Sequence, residues 1–418
     1  MSSQWPQDAL LVLGAAGEHV PLYQEARRRG VPTIGVDMRP DSPARPFADA
    51  FLEISTRAAD AIATALGDTR LAGIVCGATD AALPTWHTLG QLYGTPYVYP
   101  ESALAGLDKA RFHELAATCG TAGYGFIASD DPNEVVAKAT AQLRFPLVVK
   151  PVDGSGSKGI VRVTRPSELP GAIAHARTFS VSGIVLAEEL VQGRPVAIEC
   201  FMAGGRLCFA ATQEIERVPG TFVIKRMRCP ARLSPETEAR MEATAERLCL
   251  ALGITDGPAD FDIILGPNDQ MHVIEANPRI GGDSVPQLLA GAYGVDNVRA
   301  LVALALGEPF DLVPTRAAHA AVELIGSPLD VDGELVAVEG VDQARAVAGV
   351  THLDLYVEPG GLVRPHNQSG HKIGALVAVG PSAEAADASL EEARALIRPF
   401  IRPLPTPAPD RLLGGPHQ

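Results

Sequence analysis

The alternation of apolar and polar positions changes character along the chain. In the N-terminal quarter the apolar runs LLVLG, TIGVD, GIVCGATD and YVY are separated by stretches of helical spacing, EHVPLYQEARRRG and the region around WHTLGQLYG. Strands apolar throughout, alternating with helices, predict a parallel α/β unit, because helices that cover both faces of a sheet leave it no polar side. From Asp108 the rhythm shifts. FPLVVK and IVRVT flank a glycine-serine loop, VLAEELVQG follows, and VAIECFMAGGRLCFAATQEI reads as two paired antiparallel strands. Ser234 is a good N-cap and Pro235 suits the first turn of a helix in which Met241, Ala245, Leu248 and Leu252 share the core face before Gly253 ends it. Beyond Thr315, AAVELIGSPL, THLDLYVEP and GALVAVGPS predict strands. SAEAADASLEEARALIRPF predicts a helix whose early acids and late basic residues complement its dipole, and PLPTPAPDRLLGGPHQ predicts a loose tail. The expected division is a parallel α/β domain over 1–107 and an α+β central domain over 108–314, split into parts at about 115–187 and 188–314. A small closing domain over 315–403 and a flexible tail over 404–418 complete it.

The stretch FPLVVKPVDGSGSKGI has the glycines, serines and lysines of a phosphate site, but Lys150 precedes the glycines instead of following them as in a P-loop. Its flanks are β-branched, and Pro166 argues against a long helix close behind, so the reading is strand, flexible loop, strand. Such a hairpin can fold over a triphosphate, with backbone N–H groups and the Ser155 and Ser157 hydroxyls as donors and the lysine as a point charge. A plain surface hairpin with a Gly-Ser turn satisfies the same residues.

A second stretch, ADFDIILGPNDQMHVIEANPRIGGD, contains two apolar strands interrupted by Asp262, Glu275, Asn277 and Arg279. With PNDQ as the turn, Gly266 faces Met271, Asp262 pairs with Glu275, and alternation brings Asn277 to their face and sends His272 to the other. Two carboxylates and an amide on one face are hard oxygen ligands of the kind Mg²⁺ takes, while unpaired neighbouring acids would repel each other. Arg279 reaches the same face, where its planar fork can clamp a carboxylate or a phosphoryl group, or simply form a surface ion pair. Gly281 and Gly282 let a substrate approach the backbone.

Composition narrows the classes. The chain has 418 residues, 46% of them hydrophobic and 20% charged, with a formal charge of −14, which argues against binding a polyanion such as nucleic acid. No apolar run nears the length that spans a bilayer, and the start, MSSQWPQDALLVLGAAG, lacks the basic segment of a signal peptide. Six cysteines without C-x-x-C spacing suit reduced core thiols, so a cytoplasmic protein is expected. GAAG with Asp37 imitates a dinucleotide fingerprint but lacks its glycine pattern. His366 and His371 share a loop without the further ligands a metal site needs.

In order and spacing, Lys109 in LDKARF, Lys150 before the Gly-Ser hairpin, AEELVQG and DFDIIL with HVIEANPRIGGD resemble the ATP-grasp superfamily over most of the chain. NPRIGGDSVPQLL and YVEPGGLVRPHNQSGHKIGALVAVG look most like L-amino acid ligases and related carboxylate-amine ligases, with purine-biosynthetic ligases as the nearer competitor and biotin carboxylases, whose attachment sequence is missing, as the farther one. The resemblance implies an ATP-grasp fold and a two-part ATP-binding body behind the N-terminal domain. Lys109 and Lys150 would contact ATP phosphates, Ser155, Gly156 and Ser157 would belong to the covering loop, and Glu188, Glu189 and Val191 would form the adenine hinge. Glu199 is offered for ribose, Asp262, Glu275 and Asn277 for Mg²⁺ (two ions, or Mn²⁺), and Arg279 for the acyl phosphate. Asp283 stands either as the base for the amine or as a loop-capping aspartate. The implied reaction joins a carboxylic acid to an amine, both expected to be amino acids, with release of ADP and phosphate. Related ligases are often homodimers. A non-catalytic ATP-binding regulator is the alternative of another class, and an NAD-dependent oxidoreductase using GAAG a further one.

Overall fold

The computed structural model describes residues 5–405, so nearly all of the expected tail lies outside the described residues. Three bodies of secondary structure surround the functional region. The first is a four-stranded parallel sheet in the order Ala50–Leu52, Thr33–Val36, Ala9–Leu13, Leu71–Cys76. Ala9–Leu13 is buried at every position, which is why it reads as an unbroken apolar run. Two details differ from the pattern-based reading. YVY forms no strand: between Pro96 and Pro100 it is a loop, and Tyr97 and Tyr99 place their rings 5.6 and 5.2 Å from that of Trp86. The edge strand is instead Ala50–Leu52, too short to show a period. The GAAG turn is occupied by the protein itself: Asp37 accepts the Ala15 N–H at 3.2 Å, and the buried His19 ring lies against Gly14, where a dinucleotide phosphate would have to approach.

The second body is an antiparallel sheet in the order Phe126–Ser129, Val185–Glu189, Leu147–Pro151, Val161–Val163, covered on one face by the helices Pro132–Gln142 and Leu169–Arg177. Val135, Leu147, Val149, Leu169 and Ile173 form its own core. Pro166 does not bar a helix here. It opens the turn Pro166–Glu168, which runs straight into Leu169–Arg177, because a proline at the first helical position gives up no hydrogen bond.

The third body is an eight-stranded sheet in the order Met271–Asn277, Gly257–Leu265, Arg194–Ala203, Arg206–Arg217, Ile224–Cys229, His319–Gly326, Lys372–Gly380, Val350–Leu355. The segment expected as a separate closing domain therefore adds three strands to the central sheet: Arg226–Cys229 and Ala320–Glu323 are directly paired. Ser234 caps the helix Pro235–Ala251 as expected, its Oγ accepting the Thr237 N–H at 3.1 Å. The final helix ends at Leu396, and Arg398–Pro403, whose first three residues were read from sequence as part of it, is a strand that joins Gly333–Glu339 and Leu362–Val363 in a small fourth sheet. Among the described residues no single helix is long and apolar enough to cross a membrane. All six cysteines are free; five are buried and Cys208 is exposed.

Candidate active site

The acidic hairpin reaches the expected pairing of Asp262 with Glu275 by a different route. The turn runs from Gly266 to Gln270, one residue longer than PNDQ, with Asn268 and Asp269 in left-handed conformation at φ 56° and 53°. A bulge then inserts Ile274 between the Ile263–Val273 and Asp262–Glu275 pairs, so the two one-residue differences cancel at the acids. They do not cancel between turn and bulge. His272 sits opposite Ile264 and thereby shares the face of Asp262 and Glu275, where strict alternation had put it on the other side. The same face carries Asp260 opposite Asn277, which period two from Asp262 could have identified.

This face forms the floor of a cavity of about 330 Å³, lined by Asp260, Asp262, Glu275, Asn277 and Arg279 and bounded by Ser155–Lys158 of the glycine-serine loop. Glu275 and Asp262 also border a smaller, more apolar cavity of about 100 Å³ lined by Lys150, Glu188, Leu190, Val191 and Ile264. Lys109 opens into a third space of about 190 Å³, again beside Glu275 and Asn277. Glu275 is thus the residue at which the three spaces meet.

The cations are held in place by carboxylates. Lys150 Nζ lies 2.7 Å from Glu188 Oε1, and Glu188 also receives His113 Nε2 at 3.0 Å; all three are buried. Burial alone would raise the Glu188 pKa, but Lys150 and His113 hold it below the usual range. Lys109 Nζ contacts Glu275 Oε1 at 2.9 Å and donates to Gly154 O at 2.5 Å, which ties the root of the glycine-serine loop to the acidic hairpin. Burial works against its ammonium, and Glu275 more than offsets this, so its pKa is raised. Arg279 donates to Asp80 Oδ1 at 3.0 Å and to Ile280 O, with Asp260 3.8 Å away.

The acidic floor remains short of positive charge. Burial, reinforced by Asp260 and Glu275, pushes the Asp262 carboxyl up to about 7 against the pull of Arg217 and Arg279. Burial likewise pushes Asp260 up to about 6, although Arg279 and Asn277 act the other way. Carboxylates crowded in this way take up either protons or a cation. The donors fit a hard divalent ion. Among the described residues no group of three or more His, Cys, Asp or Glu side chains is arranged to hold a metal ion; Mg²⁺ generally takes one or two carboxylates and completes its shell with phosphate oxygens and water.

Glu199 and Asp283 have partners within the protein. Glu199, offered for ribose, lines none of these spaces: it is buried, both its oxygens accept the Gly281 N–H (3.1 and 2.9 Å), and Asn297 Nδ2 donates to it at 3.2 Å. It anchors the PRIGGD loop from below. Asp283, offered as a base or a loop cap, is ion-paired to Lys372 Nζ and accepts the Ser369 hydroxyl at 3.1 Å. Of the hinge residues, Glu189 is bound to the exposed Arg144 at 2.7 Å while still bordering the apolar cavity with Val191. The KRMRC cations are also committed: Lys225 and Arg228 reach Glu216, Arg228 reaches Asp387, and Arg226 reaches Glu323 and Glu391. Sequence reasoning passed over Asp80, Glu18, Lys372 and His113, because each meets the site from a distant part of the chain and bears no local motif.

The ATP-grasp domain family matches residues 143–287, and the family described as L-amino acid ligase C-terminal domain 2 matches 328–402. An uncharacterized protein, y4rH, of Sinorhizobium fredii is 30% identical over 329 residues, 76% of this chain and 67% of its own length. A D-alanine–D-alanine ligase of Aromatoleum aromaticum is 32% identical over 207 residues, which span 47% of this chain and 63% of that ligase, under two thirds of its length. In fold the chain is similar to the crystal structure of an L-amino acid ligase from Bacillus licheniformis, with a TM-score of 0.77 at 21% identity over 95% of this chain and 99% of the other. The chain belongs to the ATP-grasp superfamily, and it is an enzyme of that superfamily's ATP-dependent, bond-forming class.

Proposed function

We propose that the protein is an ATP-dependent carboxylate-amine ligase that joins an amino acid, through its carboxylate, to the amino group of a second amino acid. The observation that carries this reading is the chamber above the acidic hairpin. Its lining offers Asp262, Glu275, Asn277 and Arg279, suited to phosphate and a divalent ion, and also Glu18, Asp283 and Lys372, suited to the charged groups of an amino acid. The match of 328–402 to an L-amino acid ligase domain and the likeness to a ligase acting on D-alanine support the substrate class. In this reading 1–107 is the preceding α/β domain, 108–314 the ATP-grasp body and 315–403 its C-terminal complement.

A carboxylate is a poor electrophile, since its charge repels a nucleophile and oxide cannot leave. Transfer of the ATP γ-phosphoryl group to it produces ADP and an acyl phosphate. The amine then attacks the acyl carbon, the new C–N bond forms, the C–O bond to phosphate breaks, and the nitrogen loses a proton. Lys150 and Lys109 hold phosphate oxygens, Arg279 neutralises charge on the group in transit, and Val191 and Ile264 supply an apolar bed for the base. Asp262, Glu275 and Asn277 would hold Mg²⁺, which would supply positive charge against the phosphate oxygens. Ser155, Gly156 and Ser157 cover the phosphates and exclude water.

The experiment supplies ATP, Mg²⁺ and pairs of amino acids. ADP, phosphate and an amide are expected in equal amounts. Release of AMP and pyrophosphate overturns the acyl-phosphate route, and turnover only with a purine-pathway amine overturns the amino acid assignment.

A further inference from the structure

The glycine-serine loop is fastened to a C-terminal segment that also lines the chamber. Gly156 O accepts the Ser369 N–H at 3.1 Å, and the Ser369 hydroxyl donates to Asp283 at 3.1 Å. Asp283 is paired with Lys372 Nζ, which in turn lies 2.6 Å from Glu18. One continuous set of contacts therefore runs from the covering loop to the C-terminal segment, the PRIGGD loop and the N-terminal domain. Its first link uses a backbone carbonyl, so it responds to where the loop lies and not to which side chain it carries. The tip of the loop has little else to hold it: Ser155, Gly156 and Lys158 are exposed, and the Ser157 hydroxyl reaches Phe222 O only at 3.5 Å. Both Gly156 and Asp283 have left-handed backbone, φ 68° and 55°, the conformations that direct these two partners at Ser369.

We propose that Ser369 is a positioning residue that keeps the covering loop down over the acyl phosphate by fastening it to the Asp283–Lys372–Glu18 cluster. The proposal rests on the ligase reading above. A hydroxyl that donates to a carboxylate makes a charge-assisted bond, and Lys372 is ion-paired to the same carboxylate. While the loop is held, the amine is the nucleophile that reaches the acyl carbon. When it lifts, water attacks the same carbon, the C–O bond to phosphate breaks, and acid and phosphate return with ADP formed but no amide.

Two measurements on the full-length protein test this with Ser369→Ala and Ser369→Thr. The first is amide formed per ADP released. We expect a value near one in the wild type, a fall of about fivefold in Ser369→Ala while ADP release continues, and recovery in Ser369→Thr. A purely structural role would lower amide and ADP together and leave their ratio intact, which overturns the proposal. The second is tryptic cleavage after Lys158 with a non-hydrolysable ATP analogue and Mg²⁺ bound, relative to cleavage elsewhere. Ser369→Ala is expected to be cut several-fold faster at Lys158, and Ser369→Thr at the wild-type rate. Equal cutting in wild type and Ser369→Ala overturns the fastening, as does a loss that threonine does not restore. This second readout needs no turnover, so it decides the role of Ser369 even if no amide is ever formed.

Discussion

Two charged clusters on the eight-stranded sheet are built from similar residues and behave oppositely. Around Arg226 and Arg228 each cation has its acid: Glu323 and Glu391 for one, Asp387 and Glu216 for the other. Burial would raise the Glu216 carboxyl, yet Lys225 and the two arginines keep it below its ordinary range. On the hairpin Gly257–Asn277 the acids outnumber the cations, and Asp260 and Asp262 are pushed up to about 6 and about 7. With Lys225 and with Arg394, whose Nε lies 3.4 Å from Glu323, the first cluster sets four cations against four acids, and it joins strands Ile224–Cys229 and His319–Gly326 to the helix Ala383–Leu396. The second retains a charge deficit that a ligand must complete. A folded chain tolerates such a deficit where binding repays it, so lack of compensation, more than charge itself, marks the functional end of this sheet.

Substitutions should separate the two. At the deficient end, Glu275→Gln removes the one carboxylate shared by all three spaces, and amide formation is expected to fall about a thousandfold in a product assay. If turnover survives, the acidic floor is not where the chemistry occurs. At the balanced end the loss should be structural: Arg226→Met leaves Glu323 buried and short of charge, and urea unfolding is expected to show about 3 to 5 kcal/mol of destabilisation with turnover per folded molecule retained. Arg226→Met/Glu323→Leu should recover most of that loss, since the stranded acid is gone; a double variant as unstable as the single one would break the contrast.

The smallest effect concerns pH. A carboxyl whose folded pKa is raised binds more protons folded than unfolded, so its contribution to stability is present at low pH and is lost as pH rises through the folded value, about 7 for Asp262. A divalent ion removes that penalty only when the site is ionised. The rise in Tm produced by Mg²⁺ should therefore be larger near about pH 8 than near about pH 6. A shift of equal size at both would mean that Asp262 does not bind the ion.

Much of this was legible before any coordinates. The parallel N-terminal unit, the strand-loop-strand around Gly154–Gly159 and the facing acids at 262 and 275 all follow from period, turn residues and propensity, which act over a few neighbours. The misreadings lie where that locality fails. A bulge at Ile274 reversed the face of His272, and two prolines and an aromatic cluster turned YVY from strand to loop. The KRMRC cations, conspicuous in the sequence, are neutralised by residues far along the chain.

What the sequence determined by itself is therefore local: which segments pair, which face carries the acids, and where glycine frees the backbone. What the tertiary structure decided is the electrostatic ledger of the site. Arg226 finds Glu323 at 97 positions' distance, Arg279 finds Asp80 at 199 and Lys372 finds Glu18 at 354. Coulombic compensation depends on separation in space, and only the folded chain brings such residues within a few ångströms.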